Sequence, residues 1–172
     1  RTVANDTFIF NNRMQIFDWQ IPTTIKPTRH KLNFPHFEYV VNNCRQADNI
    51  EIGLTGFTKK SLIEMYDKLE DGLTGTEENN IPFLVAGTQV VNDEVWYWFI
   101  ATPLVNEHWF RITREAKKFV QQKKKEHKDK KHLVQVWSGH RSSVGWLNIL
   151  KFSPIEHYFV GKEKILIVEN KN

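Results

Sequence analysis

His140 closes the run "HLVQVWSGH", and a histidine at the end of a predicted strand is a ready proton acceptor because imidazole titrates near neutrality. Glu94 is a second candidate base, in the tight "NDE" turn between two apolar runs. Each has a plainer use, Glu94 as a solvated turn residue and His140 as the opening of a helix. Residues 111–116, "RITREA", suggest a different chemistry. A helix is expected to begin near Thr113, with its hydroxyl as cap and Glu115 close to the positive helix end. Amides at a helix start can hold an anion. The densest charge is the run of Lys123, Lys124, Lys125, Lys128, Lys130 and Lys131. Clustered lysine attracts phosphate weakly and salt-dependently, which makes non-specific nucleic acid a candidate partner. The bland use is a solvated helix end whose cations suit the helix dipole. No Ser-His-Asp signature, Gly-x-Ser-x-Gly or P-loop stands in the sequence, and the histidine spacings match no metal motif, so no metal is expected.

The elements that must position these residues are read from periodicity. Residues 1–30 carry turn signals and are expected to form an N-terminal arm or short strands, leaving 31–172 as one domain. Asn33 and Pro35 suit the start of a helix running to Asn43. "NIEIGLTGF" (49–57) resembles a short strand. "TKKSLIEMYDKLEDG" (58–72) reads as a helix with Leu62, Met65, Tyr66 and Leu69 on one face and Gly72 as its stop. "LTGTEENN" (73–80) reads as a loop. The runs 81–91 and 94–101 form an antiparallel hairpin. Residues 95–101 are continuously apolar and aromatic, the pattern of a strand covered on both faces by helices. The helix from Thr113, a strand over 132–138, a helix over 142–152 and two strands around Gly161 complete a β-β-α-β-α-β-β order. The two helices are able to sit on opposite faces.

Composition sets outer bounds. The 172 residues suffice for one substantial core, and 40% apolar with 13% aromatic residues describe a folded chain. The net charge is +4 and the isoelectric point about 9.1. One cysteine, Cys44, permits no intrachain disulfide, so a reducing compartment is expected. No apolar stretch is long enough for a membrane span, and no membrane partner is expected. The opening "RTVANDTFIFNNR" is too polar for a secretory signal, and without an initial Met it reads as trimmed.

The C-terminal half, about residues 82–170, resembles the GNAT acyltransferase superfamily. "GTQVVNDEVWYWFIAT" is similar to the family's central hairpin, and "LVQVWSGHRSSVGWLNILKFSPI" to its later strand and helix, with a Leu-x-Phe-like ending at Leu150 and Phe152. The resemblance implies an α/β (α+β) fold: a mixed, mostly antiparallel twisted sheet with helices on both faces. It implies acetyl-CoA or another acyl-CoA as cofactor. The family's pyrophosphate pattern is Gln/Arg-x-x-Gly-x-Gly/Ala. Arg111 and Ala116 fit it, Arg114 stands where glycine belongs, and Thr113 and Arg114 would face the phosphates. Ile100, Ala101 and Thr102 would border the pantetheine arm. Relatives place a Tyr acid five positions before the closing Phe. Here that position holds Leu147, and Tyr158 is the available substitute.

Within the superfamily, "WFIAT", the lysine-rich helix and "VWSGHRSSVGWLNIL" are similar to the small internal virion proteins of short-tailed coliphages. That implies phage origin, a phage structural or host protein as partner, and residence in the host cytoplasm or virion interior. Three functions follow as expectations: a GNAT scaffold with a degraded acyl-CoA motif, an active N-acetyltransferase acting on an amine, or a lysine-rich nucleic-acid-associated protein.

Overall fold

Alternation governs the centre of the molecule. In β4 (Glu94–Ala101), Tyr97 and Phe99 pack toward one face of a sheet, and Trp98 and Ile100 toward the other. A computed structural model describes residues 28–69 and 71–171. Its sheet has seven strands. The others are β1 (Thr28–Lys31), β2 (Asp71–Thr76), β3 (Pro82–Val91), β5 (Lys131–Trp137), β6 (Phe152–Val160) and β7 (Glu163–Asn170). The order is β1-β2-β3-β4-β5-β7-β6, and of these neighbours β4 and β5 run parallel while the rest are antiparallel.

Helices cover both faces, as 95–101 required. On one side lie α1 (Phe34–Asn42), α2 (Gln46–Leu54) and α3 (Lys59–Glu64). Asn33 caps α1, its side-chain oxygen accepting the His36 amide at 3.0 Å, with Pro35 in the first turn. Phe37, Val40 and Val41 then pack with Ile52, Val85 and Ile100. On the opposite side lie α4 (Trp109–Glu126) and α5 (Arg141–Ile149), burying Trp109, Ile112, Val120, Trp146 and Leu147 against Leu84, Ala101, Val136 and Val168.

Several expectations are corrected. Residues 46–54 are helical rather than a strand, because Asp48 and Ile52 turn toward the sheet one helical turn apart. The helix after Thr58 ends at Glu64 and gives way to a 3-10 turn, Tyr66–Lys68. Gly72 is no helix stop, and residues 73–76 are no loop: both belong to β2. Helix α4 begins at Trp109, four residues before Thr113, since a 3-10 turn over Pro103–Glu107 already leads the chain out of β4. Helices α4 and α5 share a face instead of dividing between two. Residues 96–99 are only half-buried, and Tyr97, Trp98 and Phe99 border a cavity. Residues 28–31 join the sheet as β1, and the rest of the expected arm lies outside the described residues.

Two neighbourhoods yield tests. Gly72 pairs with Gly87 across β2 and β3. A Cβ at Gly87 would lie 2.2 Å from the Asp71 carbonyl oxygen and 2.6 Å from the Trp98 ring. Gly87→Ala therefore lowers stability by about 2 kcal/mol, read as a drop in thermal midpoint. His132 is buried, with Nδ1 2.7 Å from the Tyr97 hydroxyl and Nε2 3.2 Å from the His127 carbonyl. Burial, and then Lys124 and His127, hold its pKa below the ordinary 6.5 against the opposing His127 hydrogen bond. The unfolded chain thus takes up a proton that the folded chain refuses. Stability from this group is complete above 6.5 and is lost as pH falls through the depressed folded value. Denaturant midpoints measured from about pH 7 to pH 5 should fall less steeply for His132→Gln than for the parent chain.

Candidate active site

The parallel pairing of β4 and β5 ends at Tyr97 opposite Val134. Strand β4 continues to Ala101 and β5 to Trp137, so the two diverge into a V-shaped opening. A single stretch, Arg45 to Glu51, bridges the open ends. The Arg45 amide donates to the Ala101 carbonyl at 2.9 Å. Its guanidinium stands 5.6 Å from the centre of the Phe99 ring and 6.0 Å from that of Trp109. Both guanidinium contacts to Asp48 are hydrogen bonds, one of them 3.0 Å, and Asp48 is almost fully buried. One helical turn on, Glu51 accepts the Trp137 amide at 3.0 Å with Oε1. Its Oε2 meets His140 Nδ1 at 3.0 Å, and His140 Nε2 meets Ser143 Oγ at 3.0 Å. His140 and Ser143 are both buried.

The residues singled out in the sequence do not gather in one place. His140 stands at the mouth of the opening, as expected, at the entry to α5. Glu94 belongs to the far end of β4, beside Lys131, about 20 Å along the strand from Ala101. Its carboxylate accepts the Trp96 indole N–H at 2.9 Å. Tyr158 lies on the edge strand β6, two strands from β5, where its hydroxyl bonds Gln135. Burial raises its pKa and that bond opposes the rise. Thr113 sits inside α4, donating to the Trp109 carbonyl at 2.7 Å and accepting the Trp146 indole N–H at 3.0 Å. Arg114 is exposed beside Glu115. Arg111 and Ala116 line a cavity of about 140 Å³ under α4, walled mainly by Leu84, Tyr97, Phe99, Phe119 and Trp146. Ile100 and Ala101 are buried, and the Thr102 amide donates to the Phe83 carbonyl at 2.9 Å.

These placements test the fit of an acyl-CoA. A pantetheine arm would use peptide groups along the open edge of β4, and the Ala101 carbonyl there is already bonded to Arg45. The approach to α4, residues 102–108, contains no glycine to bring amides close to a pyrophosphate. Leu147, at the position of the family's acid, is apolar and buried. Contrary signs are the V-shaped divergence of β4 and β5, and Thr102 Oγ1, which is buried with no hydrogen-bond partner among the described residues. The engaged Ala101 carbonyl, the glycine-free approach and Leu147 depart from the family's acyl-CoA pattern, while Arg111 and Ala116 keep it and line the cavity under α4.

Asp48, Glu51 and His140 also bring potential metal-ligand atoms within 4.8 Å of one another. The Asp48 oxygens are held by Arg45, and those of Glu51 by Trp137 and His140, so the donor set is already engaged. This cluster is not legible in the sequence because Glu51 and His140 lie 89 residues apart. Only a helical reading of 46–54 would have shown Asp48 and Glu51 on a common face.

The lysine run is partly occupied at home. Lys123 bonds Asp71 at 2.6 Å and Glu126 at 2.8 Å. Lys124 donates to Asn170 Oδ1 and Lys130 to the Asn92 carbonyl. No described helix is long and apolar enough to cross a membrane.

Comparison with solved structures defines the fold. The acetyltransferase (GNAT family) from Bacillus anthracis superposes with a TM-score of 0.63 at 13% identity, covering 84% of this chain and 96% of that one. The ribosomal-protein-S18-alanine N-acetyltransferase from Escherichia coli gives 0.60 at 14%, covering 84% and 92%. A GNAT superfamily phosphinothricin acetyltransferase from Sinorhizobium meliloti, in complex with AcCoA, gives 0.58 at 8%, covering 83% and 86%. The chain therefore has the GNAT fold, a mostly antiparallel mixed sheet flanked by helices on both faces. No protein-family model and no curated protein matches the sequence.

The Arg45–Asp48 pair gives a direct test of the bridge. Arg45→Ala leaves a buried carboxylate uncompensated and should cost about 3 kcal/mol in chemical denaturation. Adding Asp48→Ala to that variant should recover part of the loss, the signature of a coupled pair.

Proposed function

We propose that this is a GNAT-fold protein whose acyl-CoA opening has been closed, and whose fold serves binding or assembly rather than acetyl transfer. The observation that carries this reading is Arg45, with its amide on the Ala101 carbonyl and its guanidinium over Phe99 and Trp109. The glycine-free approach to α4 and Leu147 in place of the acid support it. The edge strand β6 supports a partner-binding role, since Ile155, Tyr158, Phe159 and Val160 are all exposed, Phe159 by 61%. The likeness of "WFIAT" and "VWSGHRSSVGWLNIL" to internal virion proteins of short-tailed phages supports a phage origin. The partner is then a phage structural or host protein, and the location the virion interior or host cytoplasm.

The V-shaped divergence itself favours a second reading, an acetyl-CoA-dependent N-acetyltransferase acting on an amine. Titration calorimetry separates the two. The full chain should give no binding heat with acetyl-CoA, and saturable binding would establish the enzyme reading instead. A nucleic-acid role would appear as DNA binding that weakens steeply with salt and disappears when the six lysines are neutralised.

A further inference from the structure

From the line Glu51–His140–Ser143 we infer that Ser143 is an activated nucleophile that takes the acyl group of a small activated ester. This goes beyond the assembly role above and makes no use of acyl-CoA. Three features combine. The Glu51 carboxylate receives Nδ1–H of His140 at 3.0 Å, which fixes the tautomer and leaves Nε2 to accept the Ser143 proton, also at 3.0 Å. The other Glu51 oxygen is held by the Trp137 amide at 3.0 Å, so the carboxylate cannot swing away. His140 and Ser143 are 3% and 6% exposed, in a setting where hydrogen bonds to charge are strong. The order carboxylate, imidazole, hydroxyl is the one that nucleophilic catalysis requires, and roles rather than sequence order define it.

The reaction balances with water as the second reactant. Ser143 Oγ bonds to the ester carbonyl carbon, the carbonyl π electrons move to oxygen, and the Ser143 proton passes to His140 Nε2. First-turn amides of α5, which have no acceptor within the helix, face developing negative charge favourably. The oxyanion then re-forms the carbonyl and breaks the bond to the leaving oxygen, which carries off the proton from His140. Water attacks the acyl-Ser143 ester, gives its proton to His140 and releases the carboxylic acid. That proton returns to Ser143 Oγ. Glu51 keeps its contact with His140 throughout and acts as a positioning residue.

The test uses the full chain with a fluorophosphonate probe, whose phosphorus the serine oxygen attacks with loss of fluoride. The expected result is one phosphonyl adduct, placed on Ser143 by peptide fragmentation. It should be absent in Ser143→Ala, and its formation slowed about 100-fold in His140→Gln and about 10-fold in Glu51→Gln. No adduct, an adduct on another residue, or a rate indifferent to His140→Gln overturns the proposal. A second variant guards against loss of folding in His140→Gln. In Ser143→Cys the new thiol, beside His140, should react with iodoacetamide at least about 10-fold faster than Cys44. Burial raises the Cys44 pKa and makes it a slow internal reference. Equal rates for the two thiols would also overturn the assignment.

Discussion

Two parallel strands that part company leave peptide groups facing a gap too wide for a hydrogen bond, and buried peptide groups must find partners. That constraint organises this molecule. Beyond Tyr97 and Val134, the Ala101 carbonyl and the Trp137 amide are two such groups, on opposite banks of the opening. The chain satisfies both from α2, with a main-chain amide at its entry and a carboxylate two turns on. Arg45, Asp48 and Glu51 are spaced by three, so they rise along one helical face and reach both banks together. Once Arg45 is fixed over Phe99 and Trp109, Asp48 must follow it into the interior to neutralise it. The polar seam from Arg45 to Glu51 is a consequence of the divergence.

The same seam explains why a fold associated with acyl transfer is compatible with another use of its centre. An acyl-CoA-binding opening needs free peptide edges, close amides at a helix start and a proton donor for the leaving thiolate. Here the Ala101 carbonyl of that edge is bonded, the helix start is approached through Pro103 and Leu104, and the donor position is Leu147. Among the polar groups at the mouth is His140, held between Glu51 and Ser143. Fold and chemistry are separable, and the chemistry belongs to the side chains that line the opening.

Much of the architecture was legible in the residues. The "NDE" turn and its flanking runs define the β3–β4 hairpin, and Asn33 with Pro35 marks the start of α1. The aromatic density of 95–101 announces a strand with helices above and below. What was not legible depended on partners far along the chain. Residues 49–57 alternate well enough to read as a strand, and it is packing against distant residues, Ile52 beside Val85 and Ile100 and Glu51 on Trp137 and His140, that favours the helix. Thr113 looks like a cap from sequence, yet the turn at residues 103–107 starts the helix earlier and leaves Thr113 to bond Trp146. His140 was recognisable as a candidate base. Its carboxylate was not, because the Glu51–His140 contact links opposite halves of the chain.

That separation has a kinetic consequence. Helix α2 is synthesised long before the residues it seals, and the loops joining Glu51 to Trp137 and His140 span 86 and 89 residues. Closing such loops is entropically costly until the sheet between them has assembled. The nascent chain therefore carries Asp48 and Glu51 in water while the hairpin, α4 and β5 are still being made. Their burial belongs to the final stage of folding, when the last strands lock β5 in place.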